Sequence, residues 1–243
     1  MLNSLVIIPT YQEKENITRI LQSIFELSED VHVLIIDDGS PDGTAEIVKS
    51  LQSTYNQKLH LLQRTGKLGL GTAYITGFKW AIERGYDFIF EMDADFSHPP
   101  KDLVRLYDAC KNGADVSVGS RYARGGKVKN WPLNRVLMSY FASVYVRMIT
   151  WLPVKDTTAG FVCYTKKFLS SIDLQKIRFV GYAFQIEMKY AAWKSGFKIK
   201  EIPITFIDRK EGVSKMSTGI FKEALRGVIK MRFGTKKNFY AKN

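Results

Sequence analysis

Residues 5–44, LVIIPTYQEKENITRILQSIFELSEDVHVLIIDDGSPDGT, decide the fold class. Leu5 to Ile8 is a short unbroken apolar run closed by Pro9, the pattern of a strand buried on both faces. After Glu13, Glu15 and Asn16, the apolar residues Ile17, Ile20, Leu21, Ile24 and Phe25 recur at helical spacing. A second apolar run begins at Val31 and stops at Asp37 and Asp38. Gly39-Ser40-Pro41-Asp42-Gly43-Thr44 then turns the chain into another helix, Ala45 to Tyr55. Strand, helix, strand, helix implies an α/β protein with a parallel sheet and right-handed crossovers. Ligands of such sheets gather beyond the carboxyl ends of the strands. The acids closing the second strand therefore suit the ribose hydroxyls or base N–H groups of a nucleoside.

The same logic applies to residues 86–100, YDFIFEMDADFSHPP. Tyr86 to Met92 reads as a buried strand, and Asp93 and Asp95 follow where it should end. In extended chain a D-x-D turns both carboxylates to one side, because side-chain direction alternates with period two. Two such acids either repel or share a cation, and an oxygen-only, watery site suits Mg²⁺ or Mn²⁺ holding a diphosphate. The alternative is a solvated turn before a helix whose first turn holds Pro99, Pro100 and Asp102. No phosphate-binding glycine motif follows the first strand, and RTGKLGLG at 64–71 follows the third. That loop is read as a close-packed turn into a helix from Thr72 to Arg84, with a phosphate contact from Lys67 as its rival.

With 243 residues, 45% of them hydrophobic, the chain can bury a full core. The N-terminus lacks the basic region of a secretory signal, and Cys110 and Cys163 form neither a metal-type spacing nor a disulfide framework, as expected in a reducing compartment. No window offers the ~18 uninterrupted apolar residues of a spanning helix, so the expectation is a cytoplasmic protein or one peripheral to a membrane. Net charge is +12, and Arg209 to Asn243 hold ten Lys and Arg against two Glu. A tail of that kind suits an anionic surface, nucleic acid or bilayer.

In the second half, Val116 to Arg121 reads as a short strand ending on a cation. From Leu133 to Leu152 the polar positions Arg135, Ser139, Ser143 and Arg147 form a narrow stripe spaced by four, and apolar residues cover the remaining circumference. Such a helix is sunk in a core, packed on a partner or laid against lipid; burial is the default expectation, and lipid contact the alternative. IKEIPITFIDR reads as one strand ending at Arg209. Ile220 to Phe233 reads as a basic amphipathic helix, for anionic lipid or for packing on the sheet.

The stretches IIPTYQEKENI, IIDDGSPDGT, KLGLGTAYITGF, EMDADFSHPP, VGSRYARGG and the later DRKEGVSK occur in this order in polyprenol-phosphate (dolichol-phosphate) mannosyltransferases, inverting enzymes of GT-A glycosyltransferase family 2. The chain resembles them from about Leu5 to Ser217. The resemblance implies a GT-A, Rossmann-like, mostly parallel sheet flanked by helices over residues 1–217, and a basic amphipathic helix and tail over 218–243. It places Pro9, Tyr11, Glu13, Ile36 and Asp38 on the guanosine nucleotide. It places Asp93, Ala94 and Asp95 on the diphosphate and its Mg²⁺ or Mn²⁺. Some relatives have a Gln as a further metal ligand where this chain has Ser97, a shorter oxygen ligand. For Tyr11 and Glu13 the residues alone suggest packing and capping at a helix start.

Arg121 and Arg135 fall where the family holds the acceptor's phosphate, as guanidinium groups do with paired, charge-assisted hydrogen bonds. Arg209 and Lys215 fall where it holds the nucleotide diphosphate and the acceptor. DTTAGFVCYTKK from Asp156 resembles the family's D-x-T-S-G-F segment, with Ala159 in the Ser position. Gly181 to Glu187 starts a helix in the family's manner, leaving Gln185 and Glu187 either facing the sugar or orienting the arginines.

The implied reaction joins GDP-mannose and a polyprenyl phosphate into polyprenyl phosphate β-mannose and GDP, with Asp95, Arg121 and Arg135 at its centre. Many relatives continue into spanning helices. The expectation here is peripheral attachment on the cytoplasmic face of a membrane, directly or through a small membrane subunit. The rival readings are a family 2 transferase with another donor, such as UDP-glucose, and a basic nucleic-acid-binding protein. No recognised nucleic-acid motif is present, so no nucleic-acid partner is expected.

Overall fold

The structure is a computed structural model, and it describes residues 1–28, 30–181, 183–208, 227–235 and 239–242. Its main sheet has seven strands in the order β3-β2-β1-β4-β7-β5-β8. These are β1 (Ser4–Thr10), β2 (Val31–Asp37), β3 (Leu59–Gln63), β4 (Phe88–Glu91), β5 (Val116–Ser120), β7 (Val162–Thr165) and β8 (Ile199–Pro203). Six run parallel, and β7 alone is antiparallel between β4 and β5. Among the described residues two further strands, β6 (Lys127–Lys129) and β9 (Thr205–Ile207), form a small parallel pair.

Period-two alternation divides the core. Leu5 and Ile7 face one apolar cluster, which also takes in α3 (Leu70–Glu83), α6 (Lys166–Ser171) and α7 (Ala183–Lys194). Val6 and Ile8 face a second, made with α1 (Ile17–Phe25), α2 (Thr44–Leu51) and α4 (Asp102–Lys111). Helices on both faces explain why the strands read as unbroken apolar runs. On α3, a Cβ at Gly77 would come within 2.8 Å of Ile7, so the missing side chain lets the helix lie against the sheet.

The segment read from sequence as one strand to Arg209 is two. β8 ends at Pro203, and β9 leaves for the second sheet. Ile204 between them buries its side chain, and its N–H donates to Ser120 O (3.0 Å).

The boundary drawn at 217/218 lies outside the described residues. Helix 227–234 places Val228 and Met231 in the first core cluster, together with Tyr240. Ala241 bridges Ile172, and Lys242 N donates to Ser171 O.

Candidate active site

Strand β4 stops at Glu91, so Asp93 and Asp95 stand in irregular chain and not in the strand itself. The period-two argument therefore does not explain how they meet. Beyond Asp95 the chain turns: Phe96 takes a left-handed φ of 58°, and Ser97 N donates to Asp95 Oδ1 (3.0 Å). Both carboxylates and Ser97 line one cavity. Ala94 buries its side chain in the second core, so only its backbone is left to serve a ligand.

Among the described residues no third His, Cys, Asp or Glu joins the pair to form a metal-binding cluster. A hard, hydrated cation that draws its other ligands from hydroxyl, water and phosphate fits this oxygen donor set. His98 closes the cavity's inner side, stacked on Phe161 at 5.0 Å, with Nδ1 3.9 Å from Asp93 Oδ2 and without a hydrogen-bond partner. Burial pushes its imidazole down to about 4.

Pro9, Tyr11, Glu13, Ile36 and Asp38 stand outside this cavity, at the neighbouring ends of β1 and β2. Ile36 is fully buried, leaving its backbone for a ligand. Asp38 is gripped by Arg64, whose Nε and Nη2 donate to its two oxygens at 2.6 and 2.8 Å. Arg64 also donates to Thr72 Oγ1 and thereby ties the 64–71 loop to the end of β2. Only the helical end of the 64–71 stretch is close-packed, since a Cβ on Gly71 would come within 2.7 Å of Phe179 O; Gly66 has open space around it and Leu68 is exposed, so the expectation of a close-packed turn holds in part. Lys67 Nζ lies 3.7 Å over the Tyr11 ring, at the same sheet edge. The backbone carbonyl of Glu13 accepts the N–H groups of Asn16 and Ile17, so the chain enters α1 through a backbone turn, and no side chain caps the helix start.

The two arginines converge on the D-x-D cavity but are held differently. Arg121 donates through Nε and Nη2 to both oxygens of fully buried Asp156 (2.7 and 2.6 Å) and through Nη2 to Thr158 Oγ1. Burial would raise the Asp156 carboxyl, but the Arg121 guanidinium overturns that and holds it below the ordinary carboxylate range. Arg135 lies 4.0 Å over the Trp131 ring and donates to Asp208 at the rim (3.1 Å). Sequence reading missed Asp156 as the brace of Arg121, a pairing across 35 positions that no local spacing signals.

Behind the cavity wall, α7 carries a buried polar cluster. Lys189 Nζ donates to the carbonyls of Ala159 (2.6 Å) and Gln185 (2.9 Å). Burial pushes this ammonium down to about 8 and the Glu91 carboxyl up to about 8. Glu187 accepts from the backbone N–H groups of Arg178 and Phe179 and from the Tyr240 hydroxyl, so it joins structure and does not face a ligand. Gln185, by contrast, lines the cavity.

The cavity continues as an apolar trough between α5 (Leu133–Thr150), which contributes Met138, Tyr145 and Val146, and Leu70, Ile186 and Val228 opposite. Only Ser143, Val146 and Thr150 of α5 are buried. The expected burial of this helix is thus overturned: Leu133, Phe141 and Met148 are 72%, 61% and 70% exposed. Among the described residues no helix is long and apolar enough to cross a membrane. Arg209, Lys215 and the start of the basic helix lie outside the described residues.

The family model for glycosyl transferase family 2 matches residues 5–172. Among characterised relatives, the polyprenol monophosphomannose synthase of Mycolicibacterium smegmatis is 45% identical, over 91% of this chain and 84% of that protein. The undecaprenyl-phosphate mannosyltransferase of Micrococcus luteus is 44% identical, over 93% and 92%. The dolichol-phosphate mannosyltransferase of Pyrococcus furiosus is 37% identical, over 93% and 62%. The glucosyl-3-phosphoglycerate synthase of Mycobacterium tuberculosis, solved with Mn²⁺, UDP and glucosyl-3-phosphoglycerate, superposes with a TM-score of 0.66 over 94% of this chain and 77% of that one. At 16% identity that likeness establishes the shared GT-A-like fold.

Proposed function

Because the chain belongs to glycosyl transferase family 2 and is a glycosyltransferase, we propose that it transfers mannose from GDP-mannose to a polyprenyl phosphate with inversion, giving polyprenyl phosphate β-mannose and GDP. One observation carries this reading. A single cavity brings together two carboxylates, two guanidinium groups and an apolar trough beside an exposed apolar helix. Those are the needs of a metal-bound nucleotide, a phosphate and a prenyl chain. The names of relatives 37–45% identical to this chain point to the same substrates.

The acceptor brings its own nucleophile, since a phosphate monoester with a second pKa of ~6 is largely dianionic at neutral pH. No protein base is then required. Arg121, braced by Asp156, fixes one side of that phosphate. Arg135 completes the clamp by exchanging Asp208 for it, an easy exchange because a partly exposed ion pair contributes only about 0–1 kcal/mol. Holding the attacking oxygen in line with the anomeric carbon lowers the barrier and inverts the centre. Asp93 and Asp95, with Ser97 beside them, would hold Mg²⁺ or Mn²⁺, which as a Lewis acid neutralises charge on the departing diphosphate. Pro9, Tyr11, Glu13 and the backbone of Ile36 and Ala94 would seat the nucleotide with Asp38, and Arg209 and Lys215 would cover the diphosphate.

The exposed apolar side of α5 and the basic C-terminal segment would lay the protein on the cytoplasmic face of a membrane, alone or beside a small membrane subunit. Label from GDP-mannose should pass into an organic-extractable phosphopolyprenol, and label from UDP-glucose or UDP-GlcNAc should not. Asp95→Asn should cut transfer by at least about 10²-fold, as should EDTA. Full transfer by that variant, or a preference for a UDP-sugar, would contradict the reading.

A further inference from the structure

Gln185 is 2% exposed and lines the cavity from the first turn of α7, yet neither its Oε1 nor its Nε2 has a hydrogen-bond partner. Glu91 and the Tyr164 hydroxyl are in the same condition. Gln185 lies close enough to Glu91 to ease its charge, without meeting it in hydrogen-bonding geometry. The backbone that carries the amide is firmly set. Lys189 bonds the carbonyls of both Gln185 and Ala159, fastening this turn of α7 to the cavity wall that includes Thr158 and Gly160. Gly160 leaves the amide room, since even a Cβ there would stop 3.6 Å from Nε2.

A buried amide with unmet donors and acceptor is costly, about 1–3 kcal/mol for each unsatisfied group. One standing in a substrate cavity points to a ligand that satisfies it. The chemistry of that ligand follows from the neighbours. Arg121 and Arg135 suit anions, and Asp93 and Asp95 suit a cation, whereas a neutral amide offers a donor and an acceptor side by side. That pair complements two adjacent hydroxyl groups of a sugar. Glu187 cannot share the task. Residues two apart on a helix point to different sides, and its carboxylate is spent on Arg178, Phe179 and Tyr240.

We infer that Gln185 holds hydroxyl groups of the donor sugar and so helps decide which sugar is transferred. The inference rests on the function proposed above and adds a specificity-determining residue to it. A site built to hydrogen-bond a hydroxyl discriminates strongly because a poorer ligand leaves its buried groups unpaired.

Gln185→Leu should lower kcat/KM for GDP-mannose at least tenfold and shrink the preference over its C2 epimer GDP-glucose by a similar factor. The Kd for GDP alone should stay within twofold. Should that variant fail to fold, Gln185→Glu, which keeps the shape and removes the two donors, is read in the same way. Unchanged kcat/KM and preference would overturn the inference. An equal loss of GDP affinity would also overturn it, since that marks a structural or nucleotide role. If the wild-type protein transfers no mannose, the proposed function falls instead, and the same variants are then judged on the sugar it does transfer.

Discussion

Helices α5 and α7 are alike in apolar content and opposite in burial. α7 carries Gln185, Glu187 and Lys189 within two turns, and every residue from Ala183 to Ala192 is buried. α5 has the same apolar share, two thirds of its residues, yet three of its eighteen are buried. The difference lies in partners. Glu187 and Lys189 find carbonyls, N–H groups and a hydroxyl inside the protein, which is what makes burial of polar groups tolerable. Among the described residues α5 meets no second layer on its outer side, so its large apolar residues stand open beside the apolar trough. Both helices nonetheless line the same cavity, α7 through Gln185 and α5 through Met138, Tyr145 and Val146.

The sharpest way to break this contrast is to remove a buried partner from α7. Glu187→Ala leaves two backbone N–H groups and the Tyr240 hydroxyl without their acceptor, and should cost about 3 kcal/mol or more. Urea unfolding reads this directly, and a loss under 1 kcal/mol would mean that these bonds do not hold the helix in place. The matching change on α5 should behave in the opposite way. Leu137→Ser, Phe141→Ser and Met148→Ser together should alter stability by only about 0.5 kcal/mol per site, while weakening binding to anionic liposomes at least tenfold, since each buried side chain of this kind contributes about 1.5–3 kcal/mol. Unchanged liposome binding would remove α5 from the membrane contact.

A subtler effect follows from Glu91, which faces Lys189 of α7. Its folded pKa is raised by burial to about 8, so its contribution to stability is complete below the unfolded value of about 4.5 and is lost as pH rises through about 8. The melting temperature of the wild type, measured against Glu91→Gln, should therefore decline across that window. A difference that stays flat or grows with pH would show the carboxylate to be ionised throughout.

Much of the fold was legible because it depends on local pattern. Unbroken apolar runs marked β1, β2 and β4, and helical spacing marked α1, since each is buried by its immediate chain neighbours. The break at Ile204 was missed although Pro203 stands before it, because a proline can also close a strand's edge; that β9 leaves for a second sheet is decided only in the folded chain. At the site, the D-x-D and the two arginines could be named from sequence. What escaped were long-range partners: Arg64 on Asp38, Asp156 on Arg121, Lys189 behind the wall. Nor could spacing separate Gln185 from Glu187, because the decision lies with Tyr240 and the 178–179 backbone, which α7 meets only in the folded chain.

The central claim is that Asp93 and Asp95 hold the nucleotide's cation in the same cavity where Arg121 and Arg135 take the acceptor phosphate. A crystal of the protein grown with GDP and Mn²⁺ tests it most directly, through the anomalous signal of manganese. One strong peak should appear between the two carboxylates and the diphosphate, facing the guanidinium groups. Diphosphate bound elsewhere, or bound with no manganese at Asp93 and Asp95, would contradict it.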